Sequence, residues 1–216
     1  MDPLHVAIAL GPLAMYLLVL GLVNLSSRPL VTTGARDVAS LGIAISGFVV
    51  AGPMELFLPE AAAVFWGSRV WLLMIGCYAL LVLFVVLMMR PRLVIYNIDA
   101  AQLAPVLTEV STRLDAESKW AGDSLLMPQL GVQLHVESLA MLKNVQLVSA
   151  GPRQDTRGWR QLENELATAL RLTRGTPNPY GISLLSFGVA MAGVISYWLA
   201  RDPAGVEQAL NQMLRR

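Results

Sequence analysis

The chain has 216 residues, of which 55% are hydrophobic and 14% charged, against roughly 25% charged in ordinary soluble domains. Its net charge of +1 gives no general attraction to nucleic acid. Its single cysteine, Cys77, excludes a disulfide within the chain and any cysteine-rich metal site. The basic residues are fourteen arginines and two lysines, Lys119 and Lys143, a bias that goes with GC-rich bacterial coding sequences.

The apolar residues are concentrated in long runs. A helix needs about 20 such residues to cross a bilayer's hydrocarbon, and four segments meet that length: 4–25, 38–58, 70–89 and 180–200. The first could be a secretory signal. It lacks a basic n-region, opening on Met1-Asp2-Pro3, and closes without a small-residue cleavage pattern, so an uncleaved span is expected. The third is rich in Leu, Val and Met and suits lipid contact. The second carries Gly42, Ala44, Gly47 and Gly52, and the fourth Gly188, Ala190, Ala192 and Gly193. Small residues let helices approach closely where packing drives association. The second and fourth spans are therefore expected inside the bundle, or at a contact with another protein or a second copy of the chain.

Orientation follows the arginines in the flanks. Arg28, Arg36, Arg90, Arg92, Arg171 and Arg174 fall on one side, and Arg69, Arg201, Arg215 and Arg216 on the other. Six against four predicts that the segment between the third and fourth spans is cytoplasmic, with both termini outside. The expected location is the bacterial plasma membrane.

That segment, 92–178, is the polar island, with nine bases and nine acids. A nucleic-acid module would show a basic excess. Residues 93–98 are β-branched or aromatic enough for a strand. Asp99 followed by Gln102 forms a capping-box pattern, and Leu103, Val106, Leu107, Val110 and Leu114 fall at helical spacing. Pro105 is a potential kink. Strands are expected at 124–127, 132–136 and 144–150, and a second helix at 159–172. Trp120-Ala121-Gly122-Asp123 is turn-like. The order βαβββα predicts a small, mostly antiparallel α+β domain with helices on one face. After the last span, Asp202 can cap and Pro203 can open an amphipathic helix over the C-terminal tail, 201–216, expected to lie on the membrane surface.

Candidate functional residues are few. Glu55 near the end of the second span is an intramembrane acid, a proton or cation ligand by default. Its plain alternative is access to interfacial water or a pair with Arg69. Arg153, Arg157 and Arg160 around Trp159 could hold a phosphate, an anionic headgroup or a partner carboxylate. The plain alternative is a solvated connection with Trp159 as an anchor. The two histidines, His5 and His135, lie in different segments and support no metal site. The chain has no P-loop, G-x-G-x-x-G, G-x-S-x-G or H-E-x-x-H pattern, so no cofactor is expected. The composition favours a membrane-anchored domain that binds a partner or ligand, ahead of an oligomeric transporter or channel subunit or a membrane-embedded enzyme.

Overall fold

The computed structural model describes residues 3–56, 66–139, 143–152 and 154–215. Two compact units emerge. One comprises residues 1–20, 39–87 and 183–216, the other 21–38 and 88–182.

Among the described residues, four helices are long and apolar enough to cross a membrane: α1 (Pro3–Leu25), the stretch Gly34–Met54, α3 (Arg69–Met88) and α6 (Tyr180–Arg201). At 20 to 23 residues each, they measure about 30 to 35 Å. The second stretch is α2 (Gly34–Val49) continued by a wider π turn, Val50–Met54. Pro53 lies inside that turn and has no N–H to donate; the π turn adds a residue just before Glu55. Residues 57 and 58 of the expected second span lie outside the described residues. A last helix, α7 (Pro203–Arg215), follows the predicted cap, with Gly205 N donating to Asp202 Oδ1 at 2.9 Å.

In the first unit, backbones approach where glycine permits. A Cβ on Gly47 would lie 2.0 Å from the Ile8 carbonyl oxygen of α1, and one on Gly42 would lie 2.9 Å from Val82 of α3. Tyr78 donates its hydroxyl to Gly42 O at 2.6 Å. In α6, Gly188 packs on Leu18, whereas Gly193 has open space around it. The small residues of α2 are therefore packed within the chain, and those of α6 only in part.

The second unit is built on a six-stranded sheet, antiparallel throughout, in the order β1-β2-β6-β5-β4-β3. Its strands are β1 (Leu30–Thr33), β2 (Arg92–Tyr96), β3 (Lys119–Ala121), β4 (Ser124–Met127), β5 (Val132–Leu139) and β6 (Asn144–Ser149). The helices α4 (Ala100–Leu114) and α5 (Thr156–Leu170) cover one face. The sheet thus has two strands beyond the expected βαβββα order. β1 comes from the loop after α1, far from the polar island, and pairs with β2 from Leu30↔Tyr96 to Thr33↔Leu93. β3 occupies the turn-like Trp120 stretch. It pairs with β4 through a two-residue hairpin in which Gly122 takes φ 61°, the left-handed backbone such a loop needs at its first central position.

The core follows the period of two along the strands and 3.6 along the helices. Leu93 and Ile95, Val145 and Leu147, Val132 and Leu134, and Leu125 and Met127 project from the sheet. Leu103, Leu107 and Val110 meet them from α4, and Trp159, Leu162, Leu166 and Leu170 from α5. The predicted return of the capping box is present, Asp99 N donating to Gln102 Oε1 at 3.4 Å. Pro105 does not delay the helix, which starts at Ala100 and runs through it.

Candidate functional site

An α-helix leaves its last four carbonyls without intrahelical partners. The final turn of α1, in the same compact unit as the sheet, has its carbonyls met by residues of the α+β domain. Asn97 Nδ2 donates to Val23 O at 2.5 Å, and Asn178 N donates to Asn24 O at 2.8 Å. Two residues beyond the helix, Ser27 O accepts from Gly175 N at 2.9 Å. The side chains of Asn24 and Asn178 meet as well, Nδ2 of the latter on Oδ1 of the former at 3.3 Å. All three asparagines are buried.

Local backbone chemistry makes this arrangement possible. Asn97 ends β2 with φ 60°, a left-handed conformation that asparagine tolerates better than most residues. Gly175 passes so close to Asn97 that a Cβ would lie 2.3 Å from its carbonyl oxygen. Asn97 Oδ1 is buried and has no hydrogen-bond partner among the described residues. An unsatisfied buried acceptor costs on the order of 1–3 kcal/mol, so this side chain is held by what its amide donates to. On the sheet's other face, Tyr96 donates its hydroxyl to Asp37 Oδ1 at 2.7 Å, and the Arg92 side chain lies over Gly34. Arg36, in the first turn of α2, pairs with Glu163 of α5 at 2.5 Å.

Glu55 belongs to the other unit. Its carboxylate lies 2.9 to 3.0 Å from His5 Nε2 of α1. The sequence offered Glu55 as a proton or cation ligand, or as an acid in contact with interfacial water or Arg69; the structure pairs it with His5, fifty residues away. Both side chains are roughly a quarter to a third exposed. The arrangement can carry a proton between an imidazole and a carboxylate.

Arg153 lies outside the described residues. Arg157 and Arg160 are exposed. Trp159 is a core residue whose Nε1 donates to Gln154 Oε1 at 2.9 Å. The anchoring role explains Trp159, with Asp155 capping the helix through Arg157 N at 2.8 Å.

Two further polar arrangements went unread in the sequence. His135 and Ser124 are direct cross-strand partners, with Nδ1 and Oγ 3.1 Å apart. A serine nucleophile needs a base that is itself oriented by a third group, and among the described residues no hydrogen bond reaches His135 Nε2. Asp115 is buried at the end of α4 and accepts from the backbone N–H groups of Glu117, Gln129 and Leu130, a structural use of its charge. Among the described residues, no group of three or more His, Cys, Asp or Glu side chains could hold a metal.

Asn24, Asn97, Asn178 and His5 were thus the residues that sequence reasoning passed over. A signal existed for the asparagines: Asn24 and Asn178 stand at ends of apolar helices, Asn97 directly follows a strand, and Asn178 lies between Pro177 and Pro179. No protein-family model, curated protein or solved structure matches the chain.

Proposed function

We propose that the chain is a multi-pass protein of a bacterial plasma membrane, crossing the bilayer four times, whose cytoplasmic α+β domain binds a partner or ligand as a scaffold or regulator. The observation that carries this reading is the capping of α1 by Asn97 and Asn178. The end of one span and the start of another, Tyr180–Ile182, belong to the same compact unit as the sheet. A partner bound to the domain would bear directly on those spans, without a flexible linker between. The exposed aromatic side chain of the edge strand β3, Trp120, suits such a partner.

Isolation of the native complex in mild detergent tests it. A stoichiometric second protein is expected, and it should be lost when Trp120 is replaced by Lys. A chain that runs alone, or only with copies of itself, overturns the scaffold reading. Orientation is tested separately in a Cys77→Ser background, with single cysteines at the exposed positions Ala116 and Gln212. An impermeant maleimide should label position 212 in intact cells and leave position 116 protected.

A second reading, a subunit of an oligomeric transporter, is favoured by the His5–Glu55 pair. Proteoliposomes that conduct protons or cations with wild-type chain, and not with Glu55→Gln, would replace the scaffold reading with this one.

A further inference from the structure

Below the last turn of α1, the sheet unit contains a cleft of about 480 Å³. Val23, Leu30 and Val31 supply apolar wall, Ser26 a hydroxyl, and Arg28 and Arg171 two guanidinium groups. Both arginines are exposed, and neither side chain has an ion pair or hydrogen bond among the described residues.

The acids nearby are already engaged. Of those on α5, Glu163 is paired with Arg36 at 2.5 Å and Glu165 lies 3.9 Å from Arg113. Asp37, beyond β1, accepts from Tyr96. The cleft therefore presents positive charge that no carboxylate of its own walls neutralises. Each arginine follows a helix C-terminus, whose dipole favours a cation there. An anion in the cleft would thus be held by the side chains and not by helix amides. Guanidinium forks match phosphate oxygens in pairs. Next to Arg171, Leu172 is 92% exposed, a bare leucine eight residues before α6. That position suits a side chain resting among lipid acyl chains while its neighbour reaches a headgroup.

We propose that this cleft binds a phosphate-bearing anion, either the headgroup of an acidic phospholipid or a soluble phosphate. The choice of site rests on reading α1 and α6 as membrane spans. Basic pockets at the cytoplasmic ends of spans are where acidic headgroups bind.

The test uses the full chain reconstituted into nanodiscs of phosphatidylcholine with phosphatidylglycerol, then released and examined by native mass spectrometry for retained lipid. The wild-type chain should retain phosphatidylglycerol. Arg28→Gln/Arg171→Gln should retain it about twenty-fivefold less, at roughly fivefold per arginine near an anionic surface. Arg157→Gln/Arg160→Gln, which removes two exposed arginines elsewhere in the same unit, should match wild type. If the double variant is not recovered, Arg28→Gln and Arg171→Gln singly serve the same purpose. Inorganic phosphate distinguishes the sources: displacement of lipid by it identifies a soluble anion as ligand, and no displacement identifies the headgroup. Equal retention by wild type and Arg28→Gln/Arg171→Gln overturns the cleft. A chain that stays in solution without detergent or lipid would instead overturn the membrane reading on which the choice of site rests, and the two failures are separately visible.

Discussion

Asn97 donates its side-chain amide to the carbonyl of Val23 at 2.5 Å, joining the end of β2 to the last turn of α1. The two residues are 74 apart in sequence, and the bond is made by a residue with φ 60°. Both features constrain substitution. Asn97→Gly keeps the left-handed backbone and loses only the donated bond, for about 1–2 kcal/mol. Asn97→Ala adds left-handed strain of about 1 kcal/mol. Asn97→Asp is the worst of the three, because it sets a buried carboxylate against the Val23 carbonyl. Unfolding of the full chain in detergent, followed by near-UV circular dichroism, should rank them Gly, Ala, Asp in rising destabilisation. An Asn97→Gly variant as stable as wild type would mean that Asn97 holds nothing but its own backbone.

Residues 92–178 carry the whole core cluster of the sheet unit, yet not β1. Excised alone, they should give helix and sheet in far-UV circular dichroism, with β2 as a bare edge. β2 is apolar and buried from Leu93 to Tyr96, and a long unpaired edge of that kind invites pairing with another chain. The excised segment is therefore expected to self-associate in size-exclusion chromatography. Joining residues 28–38 to its N-terminus through a flexible linker restores β1 and the Asp37 contact with Tyr96, and should give a monomer. A monomeric segment 92–178 would show that β1 is dispensable.

What the sequence made legible follows from the strength of each periodic signal. The four long apolar helices were readable because twenty apolar residues in a row have few alternative fates. The helices α4 and α5 announced themselves by stripes such as Leu162, Leu166 and Leu170, and the strands β4 to β6 by alternation. β1 escaped because four residues, Leu30-Val31-Thr32-Thr33, carry too little pattern, and because its partner β2 is some sixty residues away. β3 escaped because Gly122-Asp123 marks a turn without showing that strand lies on its N-terminal side. The site was less legible still. Asn97, Asn178 and Asn24 matter through contacts between distant segments, and His5 meets Glu55 only when α1 and the end of the second apolar helix are brought together. Arg157 and Arg160 are close in sequence, and on a helix whose buried face includes Trp159 they are exposed.

The small residues of α2 and α6 should respond differently to substitution. A methyl group on Gly47 would meet backbone oxygen of α1 at 2.0 Å, which no rotamer change can relieve. Gly47→Ala is expected to destabilise the chain by about 1–3 kcal/mol. Gly193 has open space around it, and Gly193→Ala should be neutral or stabilise by up to about 1 kcal/mol through helix propensity. Thermal unfolding of the two variants in one detergent measures the contrast. A loss at Gly193 as large as at Gly47 would point to a contact of α6 with a second copy of the chain.

Asp115 is the buried acid of the sheet unit, 1% exposed, and its environment assigns it to holding two segments together. Oδ1 accepts from Glu117 N at 2.9 Å, and Oδ2 from Gln129 N at 2.8 Å and Leu130 N at 3.3 Å. One carboxylate thereby ends α4 and fixes the turn that leads into β5. Asp115→Ala removes the acceptor of three backbone donors and is expected to cost about 2–4 kcal/mol. Asp115→Asn keeps the shape and one accepting oxygen but turns an NH2 group toward a donor, so its cost is smaller, about 1.5–3 kcal/mol. Glu117→Ala removes an exposed side chain two residues away and should stay within about 0.5 kcal/mol of wild type. Denaturant unfolding of the three variants in the full chain gives the order. Were Asp115→Ala as stable as Glu117→Ala, the carboxylate would be free for a role other than structure, and the buried acid would return as a candidate for chemistry.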